Sequence, residues 1–73
     1  DAKFQIVVAN ILSNPLKLLA PALVNYVEQG GFLVLSGILE RQTDELIDAY
    51  APYMKMALWR AEDGWICLVG QAA

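Results

Sequence analysis

The sequence predicts one small α/β domain with the order strand, helix, strand, helix, strand, strand, in which two parallel strands precede an antiparallel hairpin. Three observations predict it. Two short, nearly unbroken apolar runs, Phe4–Ala9 and Phe32–Leu35, are typical of parallel strands covered on both faces. A helical apolar pattern lies between them, as a parallel crossover requires. A turn signal at Glu62-Asp63-Gly64 then separates two further apolar segments.

The first strand is rich in β-branched residues, and only Gln5 among Phe4–Ala9 is polar. A strand covered on both faces is normally central, but the sequence offers no neighbour for one side of this one. Its edge would therefore be open, which invites aggregation. For this reason, and because the first residue is Asp1 rather than Met, we expect a C-terminal piece of a larger α/β domain.

The helical segment begins at Ser13-Asn14-Pro15, since a polar residue can cap the first turn and proline suits the first helical position. Pro21 predicts a kink, or the boundary between two short helices. Gly30-Gly31 predicts the helix stop. One apolar helix face is formed by Leu16, Leu19, Leu23, Tyr26 and Val27.

The second half of the chain contains the remaining elements. We expect a loop at Ser36–Leu39, after the second strand, and then a helix over Glu40–Ala51 that ends before Pro52. The hairpin strands are predicted at Met54–Ala61 and Trp65–Gly70.

Composition excludes several classes of protein. The chain has 73 residues, 58% of them apolar, and a net charge of −3 without any cluster of Lys or Arg. A nucleic-acid footprint and a polybasic membrane patch are therefore both missing. The sequence has no apolar run long enough for a membrane span and no signal-peptide pattern. Cys67 is the single cysteine and is predicted to be a small buried hydrophobe. We expect a cytoplasmic protein.

Most catalytic constellations are also excluded. The chain has no His, which removes the Ser/His/Asp and Cys/His sets, and it has no metal-ligand spacing. The glycines do not form a phosphate-binding loop. Two pairs of carboxylates, Asp44 with Asp48 and Glu62 with Asp63, are interpreted as solvated surface.

The segments that follow the two parallel strands are placed where a ligand site is expected. Ligands of open α/β sheets bind outside the carboxyl ends of the strands, and here those ends are Asn10-Ile11-Leu12 and Ser36-Gly37-Ile38. The Asn10 amide offers one acceptor and two donors, so it can orient an amine without protonating it. That property suits methyl transfer, in which the amine must present a free lone pair. The alternative is that Asn10 is only a turn or cap residue.

Two segments are the most specific indications of a known protein family, Val8-Ala9-Asn10-Ile11-Leu12 and Leu35-Ser36-Gly37-Ile38-Leu39. A further matching segment, Glu62-Asp63-Gly64-Trp65, follows later in the chain. These segments resemble the S-adenosylmethionine-dependent methyltransferases of large-subunit ribosomal protein eleven, and the resemblance covers Phe4–Gly70. Asn10 matches the asparagine at the end of the fourth strand of the methyltransferase sheet. In many amino-methylating enzymes, Pro-Pro-Tyr follows this asparagine. This sequence has Ile11-Leu12 where that broader pattern has Pro-Pro, and this variant is the form that the resembled family uses.

The resemblance implies that residues 1–73 are the C-terminal half of a seven-stranded, Rossmann-like catalytic domain, without its cofactor-binding N-terminal half and its substrate domain. The whole enzyme would transfer methyl groups from S-adenosylmethionine to lysine side chains and the N-terminal amine of the ribosomal protein. Asn10 would be catalytic and, with Ile11 and Leu12, would bind the cofactor. Ser36, Gly37 and Ile38 would lie on the substrate side. No metal is implied, and we expect the 73 residues alone to be inactive.

Two other hypotheses stay open. A related methyltransferase could act on another amine or on a small molecule. A non-catalytic α/β interaction module could instead pair with a partner through the exposed strand edge.

Overall fold

The computed structural model describes residues 2–73. Its elements follow the predicted order of strands and helices. They are β1 (Phe4–Ala9), α1 (Ser13–Leu18), α2 (Ala20–Asn25), β2 (Val27–Leu39), a 3₁₀ turn (Glu40–Gln42), α3 (Thr43–Tyr50), β3 (Met56–Glu62) and β4 (Trp65–Gln71).

The strands form one sheet in the order β1-β2-β4-β3. β2 is parallel to β1 on one side and antiparallel to β4 on the other, and β4 is also antiparallel to β3. The predicted α/β class is therefore confirmed, with two parallel strands followed by an antiparallel hairpin. β1 forms one edge of this sheet.

The helices cover one face of the sheet. Apart from Tyr50, no polar or charged side chain of the described residues is buried in the core between the helices and the sheet. Tyr50 is fully buried, and its hydroxyl donates a hydrogen bond of 2.6 Å to the carbonyl of Leu16, which links α3 to α1. The core is formed by Ala9, Leu16, Ala20, Val27, Leu33, Leu35, Ile38, Leu46, Tyr50, Met54, Met56, Ile66 and Leu68.

The other face of the sheet is apolar but uncovered in the part of the chain that the structure describes. Because successive strand residues point to opposite faces, Val7 and Ala9 pack on the core whereas Ile6 and Val8 point away from it. Ile6 is 63% exposed and Val8 is 64% exposed. We define the open face by the exposed side chains of Phe4, Ile6, Val8 and Phe32.

The helical region is divided as predicted, but its ends differ from the prediction. α2 has Pro21 in its first turn, so the proline marks the start of a second short helix. The predicted cap is wrong, since α1 begins at Ser13 itself and the residue before it, Leu12, provides no side-chain cap. The predicted stop at Gly30-Gly31 is also wrong, because α2 ends at Asn25 and both glycines belong to β2. A Cβ on Gly31 would lie 2.7 Å from the carbonyl oxygen of Gln5 in β1, so this glycine permits close strand approach.

The segment Ser36–Leu39, predicted as a loop, is a continuation of β2. It keeps its strand pairing because β4 extends beside it, with Ile38 opposite Ile66 and Leu39 opposite Trp65. A bulge interrupts the register between Leu35 and Ile38 and contains Gly37, whose φ is +73°. The glycine that indicated a loop in the sequence therefore lies in a bulge within a continuous strand.

The predicted hairpin is confirmed. Asp63 and Gly64 connect β3 to β4, with φ values of +53° and +82°. Two consecutive positive φ values are typical of the tight turn that Asp-Gly favours. The predicted helix over Glu40–Ala51 is shorter in the structure, because a 3₁₀ turn precedes α3 and α3 ends at Tyr50. β3 begins at Met56, two residues later than predicted.

Removing the Tyr50 hydroxyl tests the link between α3 and α1. Burial raises the pKa of Tyr50 from 10.0 to about 12. Below pH 10 the hydroxyl is protonated in both the folded and the unfolded chain, whereas between pH 10 and 12 only the unfolded chain loses the proton. We therefore expect the free energy of unfolding to fall as pH rises through this window, by about 1.4 kcal/mol per pH unit at most.

Tyr50→Phe should lower the free energy of unfolding at pH 7 by about 1 kcal/mol and should remove this part of the pH dependence. Urea unfolding of both proteins at pH 7, 9 and 11 measures the two effects. An equal loss of stability between pH 9 and 11 in both proteins would contradict the assignment.

Candidate active site

The carboxyl ends of β1 and β2 lie side by side because the two strands are parallel, with Ala9 opposite Leu35. Asn10 follows the last residue of β1, and Gly37 lies two residues beyond Leu35 in the bulge of β2. A Cβ placed on Gly37 would overlap Oδ1 of Asn10. The Asn10 side chain therefore rests on the main chain of Gly37, where only glycine leaves room for it.

The three residues predicted at the end of β1 are all accessible. Asn10 and Ile11 are exposed, and Leu12 is 77% exposed. The Leu12 carbonyl accepts a hydrogen bond of 3.1 Å from the amide of Leu16, which ties this short segment to α1. An amide and two apolar side chains are thus held at the sheet edge, where they can contact a ligand with polar and apolar parts.

The three residues predicted at the end of β2 do not behave alike. Ser36 is half-buried, Gly37 is exposed, and Ile38 is fully buried against the helices. The bulge causes this difference, since it turns Ile38 into the core and leaves Gly37 at the surface. The structure therefore brings the two predicted segments together through Asn10 and Gly37, while the Ile38 side chain serves the core.

Two clefts flank Gly37. The loop cleft has a volume of about 450 Å³ and is lined by Leu12, Ser13, Asn14, Pro15, Gly37, Leu39, Gln42 and Trp65. The hairpin cleft has a volume of about 420 Å³ and is lined by Gly37, Trp59, Arg60, Glu62, Asp63, Trp65, Ile66 and Cys67. Both volumes fall in the range of small-molecule sites.

Trp65 and Gln42 line this region but were not among the predicted site residues. Trp65 borders both clefts and is 53% exposed. The sequence did contain an indication of its place, because Trp65 begins the predicted last strand. A strand antiparallel to the parallel pair can begin at the edge of the sheet where the parallel strands end. Gln42 carries no such signal, since its place depends on the 3₁₀ turn that follows β2.

The ionisable groups near the site are exposed. The carboxylates of Glu62 and Asp63 border the hairpin cleft with Arg60, and Asp44 and Asp48 lie on the surface of α3, as predicted for these two pairs. Within residues 2–73, His, Cys, Asp and Glu form no group of three that could hold a metal ion. Cys67 is a free, half-buried thiol. No helix in this part of the chain is long and apolar enough to cross a membrane.

Comparison with a solved structure identifies the class of protein. The crystal structure of a ribosomal protein L11 methylase from Lactobacillus delbrueckii subsp. bulgaricus matches the whole chain with a TM-score of 0.83 and 32% sequence identity, over 39% of its own length. The four-stranded sheet, with ligand-accessible groups at the carboxyl ends of its parallel strands, is thus part of a methyltransferase fold.

The sequence comparisons name the family. The family model described as ribosomal protein L11 methyltransferase (PrmA) matches residues 1–73. Over 97% of this chain, the L11 methyltransferase of Bordetella parapertussis is 63% identical, and that of Cupriavidus taiwanensis is 59% identical over 96%. The chain belongs to the ribosomal protein L11 methyltransferase family. It spans about a quarter of the length of these relatives, 23% and 24% respectively.

Gly37→Ala tests the contact between Asn10 and Gly37. Alanine at a positive φ costs about 1–2 kcal/mol at either Gly37 or Gly30, but only at Gly37 does the new Cβ meet another side chain. Gly30→Ala is therefore a matched control in the same strand, with a φ of +82° and open space around the Cβ position. We expect Gly37→Ala to lower the free energy of unfolding more than Gly30→Ala does.

Gly37→Ala should also shift the side-chain amide resonances of Asn10 in the ¹⁵N NMR spectrum, while Gly30→Ala should leave them in place. Equal losses of stability with unmoved Asn10 resonances would show that the two residues are not in contact.

Proposed function

We propose that this chain is the C-terminal part of an S-adenosylmethionine-dependent protein N-methyltransferase that modifies amines of ribosomal protein L11. The observation that carries the proposal is the Asn10 amide, which rests on Gly37 where the parallel strands end. The names of the relatives support the reaction and the substrate. A ribosomal-protein substrate would also place the enzyme in the cytoplasm.

The residues present fit one wall of a site for S-adenosylmethionine. Ile11 and Leu12 offer exposed apolar surface beside the Asn10 amide, as a ligand with apolar and polar parts requires. When bound, S-adenosylmethionine supplies a methyl group made electrophilic by its positively charged sulfur. Residues upstream of this chain would have to provide the other wall.

The Asn10 carbonyl oxygen can accept a hydrogen bond from an N–H of the substrate amine. This contact leaves the nitrogen lone pair free and fixes its direction, because an amide does not protonate an amine. Correct orientation of the two reacting atoms lowers the barrier for a displacement in which the amine attacks in line with the leaving sulfur. On this proposal, Asn10 is catalytic and also contacts the cofactor with Ile11 and Leu12. The substrate side is bordered by Gly37 and the half-buried Ser36, with Ile38 supporting them from the core.

We also propose that residues 1–73 form one unit of a larger catalytic domain, whose remaining part binds most of the cofactor and carries the substrate-recognition domain. The open face supports this division, since Phe4, Ile6, Val8 and Phe32 present apolar surface that a helical layer could bury. The free edge of β1 could accept a further strand. The greater length of the relatives agrees with such a layer.

Asn10→Ala in the full-length protein tests the catalytic role. We expect methyl transfer to fall by a factor of about 10²–10³, since one oriented polar contact in the transition state contributes on the order of 3 kcal/mol. The assay measures label transferred from methyl-labelled S-adenosylmethionine to purified ribosomal protein L11. Asn25→Ala is the matched control, because Asn25 lies at the opposite end of the sheet, where its Oδ1 accepts a hydrogen bond from Lys3. Nearly unchanged activity in Asn10→Ala would make Asn10 a turn residue only.

The wild-type assay separates the wider alternatives. Label in ribosomal protein L11 supports the proposal, whereas label only in another protein or a small amine would support a related methyltransferase. Failure of the full-length protein to bind S-adenosylmethionine would refute the enzyme hypothesis.

Ile6→Asn tests whether the open face is covered in the full-length protein. If a second layer buries Ile6, the substitution should lower the free energy of unfolding by about 2–4 kcal/mol, as polar replacements in a core do. Leu18→Asn is the matched control, since Leu18 lies on a helix and is 82% exposed. Urea unfolding of the two variants gives the comparison, and an Ile6→Asn cost as small as that of Leu18→Asn would show that the open face stays exposed.

A further inference from the structure

Gln42, at the end of the 3₁₀ turn, joins the segment after β1 to the end of β2. Its Oε1 accepts a hydrogen bond of 3.0 Å from the main-chain amide of Leu39. Its Nε2 donates a hydrogen bond of 2.9 Å to the hydroxyl of Ser13. Both bonds are partly buried, so water competes with them less than it would at an open surface. A single side chain therefore spans the two segments that meet at the candidate active site.

The same turn also reaches the hairpin. The amide of Glu40 donates a hydrogen bond of 2.8 Å to the carbonyl of Gly64, in the turn between β3 and β4. The Thr43 hydroxyl donates a hydrogen bond of 2.7 Å to the carbonyl of Glu40, which stabilises the turn itself. Three segments at one edge of the sheet are thus fixed relative to one another through a turn of three residues.

The two bonds of Gln42 lie close in sequence to the contact between Asn10 and Gly37. Ser13 is three residues after Asn10, and Leu39 is two residues after Gly37. Residues Asn10–Leu12 lie outside the regular strands and helices, so the bond to Ser13 adds a second restraint at the end of this segment that leads into α1. Gln42 also lines the loop cleft together with Ser13 and Leu39.

We propose that Gln42 is a positioning residue, whose amide holds the Asn10 segment against the bulge of β2 without contacting the reacting atoms. The proposal rests on the proposed function for its kinetic consequence. The two hydrogen bonds of Gln42 predict different effects for different substitutions at this position. Glutamate at position 42 keeps an acceptor for the Leu39 amide and can accept from the Ser13 hydroxyl, whereas alanine keeps neither bond.

The test uses the full-length protein, after methyl transfer by the wild type has been measured. Gln42→Ala should lower kcat about tenfold to a hundredfold, the effect expected when a reacting group is misplaced by a fraction of an ångström to 1 Å. KM for the protein substrate should change much less. Gln42→Glu should retain most of kcat, and Ser13→Ala should lower kcat less than Gln42→Ala does.

The double variant isolates the bond between the two side chains. If Gln42 acts partly through Ser13, the combined Ser13→Ala and Gln42→Ala variant should be no slower than Gln42→Ala alone. Independent, multiplying effects would contradict the proposal. Gln71→Ala is the matched control, because the Gln71 amide donates a hydrogen bond of 3.1 Å to the carbonyl of Gly30 at the opposite end of the sheet. We expect an unchanged kcat for it.

A second readout does not depend on activity. The ¹⁵N side-chain resonances of Asn10 should shift in Gln42→Ala and stay in place in Gln71→Ala. Unmoved resonances, or a kcat within about twofold of the wild type, would overturn the proposal. If Gln42→Ala does not fold, Ser13→Ala still removes one of the two bonds, and it must lower kcat and shift the Asn10 signals. If the wild type is inactive but Gln42→Ala still shifts the Asn10 resonances, the proposed function is refuted and the positioning role is not.

Discussion

The structure depends on β2, the strand that has a parallel neighbour along one edge and an antiparallel neighbour along the other. On one side it pairs with β1 as far as Leu35, and on the other it continues beside β4 to Leu39. The bulge at Gly37 lies in this overhang, beyond the point where β1 has ended. Because the bulge leaves a surface without a Cβ next to the end of β1, the Asn10 side chain can lie across it. The position of the candidate active site thus follows from the unequal lengths of two parallel strands.

The distribution of apolar residues follows from the same sheet. One face is packed under α1, α2 and α3, and Tyr50 ties two of these helices together through a buried hydrogen bond. The other face carries exposed phenylalanine, isoleucine and valine side chains. A composition of 58% apolar residues is high for a chain of 73 residues. It becomes reasonable if both faces of the sheet are packed in the full-length protein, because the described residues supply a layer for only one of them.

The sequence predicted the strands, the hairpin and the location of Asn10, because each depends on local chemistry. Apolar runs with β-branched residues predict strands, and Asp63-Gly64 predicts a tight turn that only a few residue pairs form easily. The length of β2 could not be predicted in this way. Ser36 and Gly37 have the local chemistry of a loop, and only pairing with β4 keeps them in the sheet. Gly30-Gly31 was likewise interpreted as a helix stop, although its role is close approach to β1. Gln42 was missed because its hydrogen bond to Ser13 joins residues that are 29 positions apart in the sequence and that only the folded chain brings together.

The central proposal is that Asn10 lies beside the methyl group that the full-length protein would transfer. The most direct measurement is an NMR experiment on the full-length protein bound to S-adenosylmethionine labelled with ¹³C in the transferred methyl group. Nuclear Overhauser effects from this methyl group to the side-chain amide protons of Asn10 are the predicted result. Saturable binding of the cofactor, with Overhauser effects to other residues and none to Asn10, would contradict the claim.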